Sequence, residues 1–508
     1  MTGNQTYVRR KLKNTRSVAA FLEKVFLEQK LDNWFGWILI LAVAVGFGYL
    51  IATKTVMGLG LFGLIIGFFL IISCLVSTEL GLYINVLYSF FAFHFSRYLF
   101  HDEFPVGVVT DVLILAAFLS LFFTRKNIGK SLNQFTKTSI AVGILILLGY
   151  LFLELFNPLA HSFEGWFQSF RRFLGSVLLL FISYNVFSSY EKIKRFIIVL
   201  FILSVTTAIY GCIQQWHGLF DFEIAWVTAS PNRFGIFFQM GDFRKFSTMS
   251  DPTAFGVAMA SCAVFFMIYA WYQKSIMLRV FFWAGIAFML VAMGYSGTRT
   301  ANVMVAAGLT MFVLLTLNKR PTRIFAIVAS LVFFVLLYGP YTNRTINRFR
   351  TSFIGTKDES FNVRERNRQF IQPYIYKHPF GAGVGTVGAS GLKYNPGHYL
   401  AGFPPDSGYL RKALETGWIG LIIVCILYFI ILKFGIRRYF RCKDEELKIV
   451  YAGAIAAIFS FYLAEFAQEA IGQITDIVIY YPLIAMLMKM QYFKRFHKPT
   501  PAQEQLSK

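Results

Sequence analysis

The chain has 508 residues, of which 56% are hydrophobic, 18% aromatic and only 15% charged. That balance excludes a soluble domain with a polar surface and puts the chain among polytopic membrane proteins. The net charge of +23 does not point to nucleic acid, because the basic residues lie in short clusters between apolar runs, where the positive-inside rule expects them.

Residues 1–33 predict a cytoplasmic basic arm (Arg9, Arg10, Lys11, Lys13, Arg16) and then a helix lying at the interface, "SVAAFLEKVFLEQKL", with Val18, Phe21, Leu22 and Val25 on one face. This charged stretch separates the arm from the first long apolar run, so no cleavable signal peptide is expected. Apolar runs long enough to cross a bilayer, ~20 residues with some tolerance, then fall at fourteen positions: Trp34 to Ala52, Val56 to Val76, Leu80 to Leu99, Pro105 to Phe123, Thr138 to Phe156, Arg172 to Phe187, Phe196 to Ile213, Thr253 to Tyr272, Leu278 to Tyr295, Ala301 to Leu317, Thr322 to Gly339, Trp418 to Phe434, Ile449 to Phe466 and Ile474 to Met488. The predicted fold is an all-α polytopic helix bundle of about 12–14 spans. Residues 34–340 hold about eleven of these spans, with a loop at 214–252; a large, partly helical loop occupies 341–417, the last three spans 418–489 and a tail 490–508. The cysteines Cys74, Cys212, Cys262, Cys425 and Cys442 show no C-x-x-C spacing, and neither a disulfide framework nor a zinc site is read from them.

Charges not used in choosing these limits orient the chain. Alternate connections are basic: "RKNIGK", "EKIKR", "QKSIMLR", "NKRPTR", "RRYFRCK" and the tail "KMQYFKRFHK". Both termini are therefore expected in the cytoplasm, with 214–252 and 341–417 outside. The second external loop is itself rich in arginine, which long loops tolerate and which also suits an outward-facing anion cavity.

Three external features are candidates for one site. In "FRKFSTMSDPTAFG", Arg244 precedes Ser250, Asp251 and Pro252 at a helix start, with a capping residue and a proline where proline is allowed. In "YSGTRTA", Arg299 stands at a tight hairpin between two spans, where it either snorkels to headgroups or faces a ligand. The long loop carries "NVRERNRQF" (Arg364, Arg366, Arg368) and then "HPFGAGVGTVGASG" (Gly381, Gly383, Gly385). No Gly-Lys-Ser/Thr follows this glycine stretch and no strand precedes it, so it is neither a nucleotide nor a dinucleotide loop. Two readings stay open: backbone N–H groups approaching a ligand, or a loop folded tightly onto the membrane. The external acid pairs in "HDEF" (Asp102, Glu103) and "DFE" (Asp221, Glu223) are of the kind that metal-dependent enzymes use, but such pairs are common in outer loops and no metal or other cofactor is expected.

Taken in order, these residues resemble the bacterial O-antigen ligase and polysaccharide polymerase family. The likeness rests on Arg244 to Gly256, on the hairpin Ser296, Gly297, Thr298, Arg299, on the Arg-rich helix start, on Pro379-x-Gly381-x-Gly383, and on a polar pair followed by Tyr409, Leu410, Leu414, Glu415, Gly417, Gly420 and Leu421. It implies a metal-independent glycosyltransferase at the outer face of the bacterial inner membrane, with an undecaprenyl-pyrophosphate-linked glycan as donor. The acceptor would be another glycan or lipid A core, and other polysaccharide assembly proteins would be further partners. It also implies that Arg244, Arg299 and Arg364, Arg366 or Arg368 hold the pyrophosphate. Ligases of the family usually carry a histidine in the polar pair; this chain has Asp406 and Ser407, which favours a polymerase, with Asp406 as the base and His398 as the substitute candidate. The chemistry agrees, since arginine forks pair phosphate oxygens and stabilise a leaving pyrophosphate. A lipid-linked oligosaccharide flippase is the rival from another class. Transporters commonly show two related halves, and no repeat is visible here.

Overall fold

The computed structural model describes residues 34–53, 55–100, 104–124, 128–239, 241–340, 343–353 and 359–493. The basic arm, the interfacial helix, Asp102, Glu103 and the end of the tail lie outside these residues. Each of the fourteen expected spans falls on a helix. In chain order the helices are α1 (Trp34–Thr53), α2 (Thr55–Val76), α3 (Thr78–Phe100), α4 (Val106–Thr124), α5 (Ile128–Thr136), α6 (Ser139–Leu153), α7 (Phe163–Val186), α8 (Tyr190–Trp216), α9 (Asp221–Thr228) and α10 (Pro231–Phe237). They continue with α11 (Pro252–Trp271), α12 (Ile276–Tyr295), α13 (Arg299–Thr316), α14 (Arg320–Tyr338), α15 (Arg344–Phe353), α16 (Glu359–Lys377), α17 (Gly388–Tyr394), α18 (Gly408–Arg441), α19 (Glu445–Ala467) and α20 (Ile474–Met490). Among the described residues nine helices are long and apolar enough to cross a membrane, so the chain is an all-α, multi-pass membrane protein. Residues 1–70 form one unit and residues 71–508 another; the second carries every candidate site residue.

Two span starts lie well before their expected positions, each for a local reason. The span expected from Arg172 begins at Phe163, because Ser162 accepts a hydrogen bond from Gly165 N at 3.1 Å and starts the helix early. Two charged residues, Arg171 and Arg172, are thereby drawn inside α7, and Arg171 pairs with Asp111 of α4. The span expected from Trp418 begins at Gly408, capped by Ser407, and breaks at Gly417. The loop 214–252 holds two short helices and a two-residue ladder, β1 (Phe238–Gln239) with β2 (Asp242–Phe243).

At the centre, α11 is almost wholly buried. Small residues set its packing: a Cβ at Gly308 of α13 would sit 2.5 Å from a Val264 methyl of α11 and 3.3 Å from the Ala456 carbonyl of α19. Helices α13 and α19 run antiparallel, since Lys319, just past α13, donates to Glu445 at the start of α19 at 2.9 Å. One end of this body gathers both long loops: Arg97 donates to Ser247 O, Asn157 to Phe380 O, Ser407 to Glu465 O. The opposite end holds the short basic connections, tied by pairs such as Lys192–Glu79 at 2.6 Å.

Candidate functional site

The site is built at the loop-bearing end. Loop 214–252 closes over its own core of Leu219, Val227, Phe237 and Phe246. Arg97 of α3 pins it from below, its guanidinium 4.7 Å from the Trp226 ring centroid and 4.6 Å from that of Phe246. This anchoring delivers Arg244 to the α12–α13 hairpin. Arg244 Nε donates to Ser296 O at 2.9 Å and Nη2 to Thr298 Oγ1 at 3.1 Å. The Thr298 hydroxyl in turn donates to Pro252 O at 2.9 Å, and Asp251 caps α11 by accepting from Thr253 and Ala254. Arg299 is the next residue, half-buried at the start of α13.

The cation that joins them is Arg348 of α15. It donates to Gln239 O at 3.2 Å, and it lies against Gly297, where a Cβ would stand 2.8 Å from its guanidinium carbon. Gly297 has φ +63°, a left-handed conformation that glycine adopts without strain. Burial, then the charge of Arg348, then that of Arg299, pull the Arg244 pKa down to about 10, while Asp251 offsets part of this. Arg244 stays charged at neutral pH, but its surroundings disfavour a third cation, and a bound anion relieves that repulsion.

Of the arginines on α16, Arg368 donates to Phe466 O at 2.9 Å, its guanidinium 4.4 Å from the Phe466 ring centroid. Arg366 is exposed. The side chain of Arg364 lies outside the described residues. Between Arg366 and Arg368, Asn367 donates to Asp406 Oδ2 at 3.4 Å. Helix geometry relates these groups to Arg299. Gly308 meets Ala456, and nine residues back along α13 is Arg299 while nine residues on along α19 is Glu465. In antiparallel helices both steps rise about 13 Å the same way. Arg299, the Phe466–Arg368 contact and the Ser407 hydroxyl, which donates to Glu465 O at 2.9 Å beside Asp406, therefore stand at one level.

His398 is held differently. Its Nδ1 accepts from Leu400 N at 3.0 Å, so the neutral ring carries its proton on Nε2 and presents a donor there. Burial, and then the nearby His161 and His378, lower its pKa. The glycine stretch also has a structural explanation. The break at Gly417 (φ +68°) leaves the carbonyls before it without helical partners. Ala382 N donates to Leu414 O at 2.8 Å, Gly383 N to Glu415 O at 2.9 Å and the Tyr150 hydroxyl to Thr416 O at 2.7 Å. A Cβ at Gly381 would approach Glu415 O to 2.6 Å, and Gly383 and Gly385 lie as tightly against Ala160 and the Gly165 carbonyl. Two of the stretch's N–H groups are thus spent on the broken helix rather than on an anion.

Beyond the sequence candidates, the first turns of α18 carry a charged cluster. Arg411 donates to Glu415 at 3.2 Å and to Glu469 at 2.6 Å, and Lys412 pairs with the fully buried Glu465. Burial opposes the charge of Glu469, but Arg411 and Lys412 outweigh it and lower its pKa. Beside this cluster a cleft of about 140 Å³ is lined by Ser169, Arg172, Ser176, Arg411, Glu469 and Tyr481, among others. Asp476, in the first turn of α20, is 1% exposed and neither of its oxygens meets a hydrogen-bond donor among the described residues, although Asp251 and Glu465 are neighbours. Of the acid pair on α9, Glu223 accepts from Tyr210, Gln214 and Phe220 N, so it serves the loop's own structure.

In the sequence Arg348 is one of many basic residues of the long loop, and nothing beside it marks it for the site. The family described as O-antigen ligase matches residues 284–425 of the chain, from the middle of α12 to the middle of α18. A search of curated proteins finds no match.

Proposed function

We propose, from the match of residues 284–425 to the family described as O-antigen ligase, that the chain polymerises a glycan at the outer face of the membrane, using a polyprenyl-pyrophosphate-linked oligosaccharide as donor. One observation supports this reading most: Arg244, Arg299 and Arg348 crowd together at the loop-bearing end, with Asp251 as the acid that offsets them at Arg244. Such a crowd suits a ligand with two phosphates, each oxygen pair matched by a planar guanidinium. Arg244 spends its Nε and Nη2 on the hairpin and acts as the rigid wall of the site. Arg299 and Arg348 close on the leaving group.

The reaction forms one bond and breaks one. An acceptor hydroxyl oxygen attacks the anomeric carbon, the bond from that carbon to the pyrophosphate oxygen breaks, and the lipid pyrophosphate leaves with the electron pair. The hydroxyl proton goes to Asp406, oriented by Asn367. His398 suits this step less, because Leu400 occupies its Nδ1 lone pair and Nε2 carries hydrogen. The cleft beside Arg411 and Glu469, with its hydroxyls and fixed charges, offers room for the acceptor sugar. Both termini are assigned to the cytoplasm on the strength of the basic short connections, and the membrane is assigned as the bacterial inner membrane on the family match.

The test is polymer formation by purified protein with a defined lipid-linked repeat. Asp406→Asn is expected to lower turnover by ~10²–10⁴ with donor affinity kept. Arg299→Ala is expected to weaken donor binding and turnover together. Transfer that survives Asp406→Asn and is lost in His398→Ala would reassign the base. Loss in neither, with lipid-linked glycan instead moved between leaflets, would favour a flippase. Transfer of the glycan to lipid A core in place of chain growth would make the protein a ligase.

A further inference from the structure

At the opposite end of the body, away from both loops, lies a pocket of about 430 Å³ between the α5–α6 turn, the last turns of α18 and the end of α20. Its charged lining is all of one sign: Lys137, Lys433, Arg437, Arg438 and Arg441, with the polar Gln491 and Tyr492 among its other walls. We propose that this pocket binds the phosphodiester headgroup of an anionic phospholipid. It is independent of the transferase reading.

Orientation of the chain and the α18 dipole account for basic residues near a helix end, but not for five cations converging on one concavity. Among the described residues the neighbouring acids are engaged elsewhere. Asp444 caps α19 by accepting from Glu446 and Leu447, Glu445 is engaged by Lys319 and Lys448, and Glu446 lies 3.9 Å from Lys194. Lys433, Arg437 and Arg441 repeat every fourth residue and so share one face of α18, while Arg438 stands over the Phe434 ring at 5.2 Å. Cations that line one concavity with no acid among its described walls repel one another, and a phosphate that takes hydrogen bonds from several guanidinium groups removes that cost.

The apolar surface beyond the pocket selects a lipid over a free phosphate. Helix α6 packs on α18 at Gly143 and Leu427, and on either side of this seam the helices present Val142, Leu145 and Ile146 and, on α18, Ile422, Ile426 and Phe429, all exposed. A headgroup seated among the arginines lays its acyl chains along these residues, as in basic pockets between helices that retain anionic lipid.

Native mass spectrometry of the whole protein, purified in neutral detergent and incubated with phosphatidylglycerol or phosphatidylcholine, tests the assignment. The wild type is expected to retain one phosphatidylglycerol and no phosphatidylcholine. Arg437→Gln with Arg441→Gln should cut that retention about tenfold or more, while Arg437→Lys with Arg441→Lys keeps most of it. Lys274→Gln with Arg323→Gln, the same charge change at other basic connections, should have no effect. Unfolding temperatures in lipid-free detergent establish that each variant is folded. Equal retention of phosphatidylcholine, or equal loss in the Lys274 and Arg323 pair, overturns the site. Inorganic phosphate at millimolar concentration that displaces the lipid completely overturns the lipid as occupant and leaves a soluble anion.

Discussion

At the scale of single residues, Asp476 is a buried carboxyl whose oxygens meet no hydrogen-bond donor among the described residues, beside two other carboxyl groups. A buried polar group left unpaired costs about 1–3 kcal/mol. Asp476→Asn keeps the shape, adds a donor and removes an acid, so we expect the unfolding temperature in detergent to rise. A fall would mean that the carboxyl has a partner the fold conceals. His398 provides a pH dependence. Its folded pKa lies below the ordinary 6.5, through burial and then His161 and His378, so the unfolded chain binds more protons as the medium is acidified. The stability this group contributes is present above pH 6.5 and is lost as pH falls towards the folded value. Thermal unfolding followed from pH 7.5 to 5 should show that decline, and His398→Gln, which can still accept from Leu400 N, should flatten it.

At the scale of elements, the contact between the glycine stretch and the break in α18 joins the long loop to the membrane body. Gly417 sits at φ +68°, and a Cβ there would stand 2.5 Å from Gly381 N. Gly417→Ala combines a backbone conformation that is nearly confined to glycine and costs roughly 1–3 kcal/mol in other residues with a clash against main chain. It is expected to lower the unfolding temperature and the yield of folded protein, and Gly381→Ala to do the same, whereas Gly397→Ala, with nothing within 4 Å of its Cβ, should be silent. Equal tolerance of all three would show that the loop is not held by this seam. The same element explains a misleading signal. Closely spaced glycines suggest an anion loop, but Ala382 and Gly383 give their N–H groups to Leu414 and Glu415, because a helix broken at its membrane end must have its carbonyls capped.

At the scale of the whole molecule, both long loops share one end of the body with the arginine cluster, so the side on which that end lies decides where any chemistry occurs. Gly397, exposed in the turn after α17, is a suitable reporter. Gly397→Cys is expected to react with an impermeant maleimide in intact spheroplasts, whereas Cys425, exposed on a span, should not. Reaction only after lysis would put the loop end in the cytoplasm and end the proposal of an outward site.

The spans were legible in the sequence because crossing a bilayer demands a local property, an uninterrupted apolar stretch of helical length. All fourteen expected stretches fall on helices, and among the described residues nine of the helices are long and apolar enough to cross a membrane. The helix start at Asp251 was equally local, a capping side chain one residue before its helix. Which cations meet was not local. Arg244 and Arg348 lie 104 positions apart, and nothing in either stretch names the other; the packing of α15 over the α12–α13 hairpin, with Gly297 as the gap, brings them together. The partners of the glycine stretch were hidden for the same reason, since the carbonyls it caps exist only once α18 breaks against it. Sequence alone determined that the chain is threaded through a membrane, and where; tertiary structure decided which charges share a site, because electrostatic and hydrogen-bond contacts act over a few ångströms in space and are indifferent to separation along the chain.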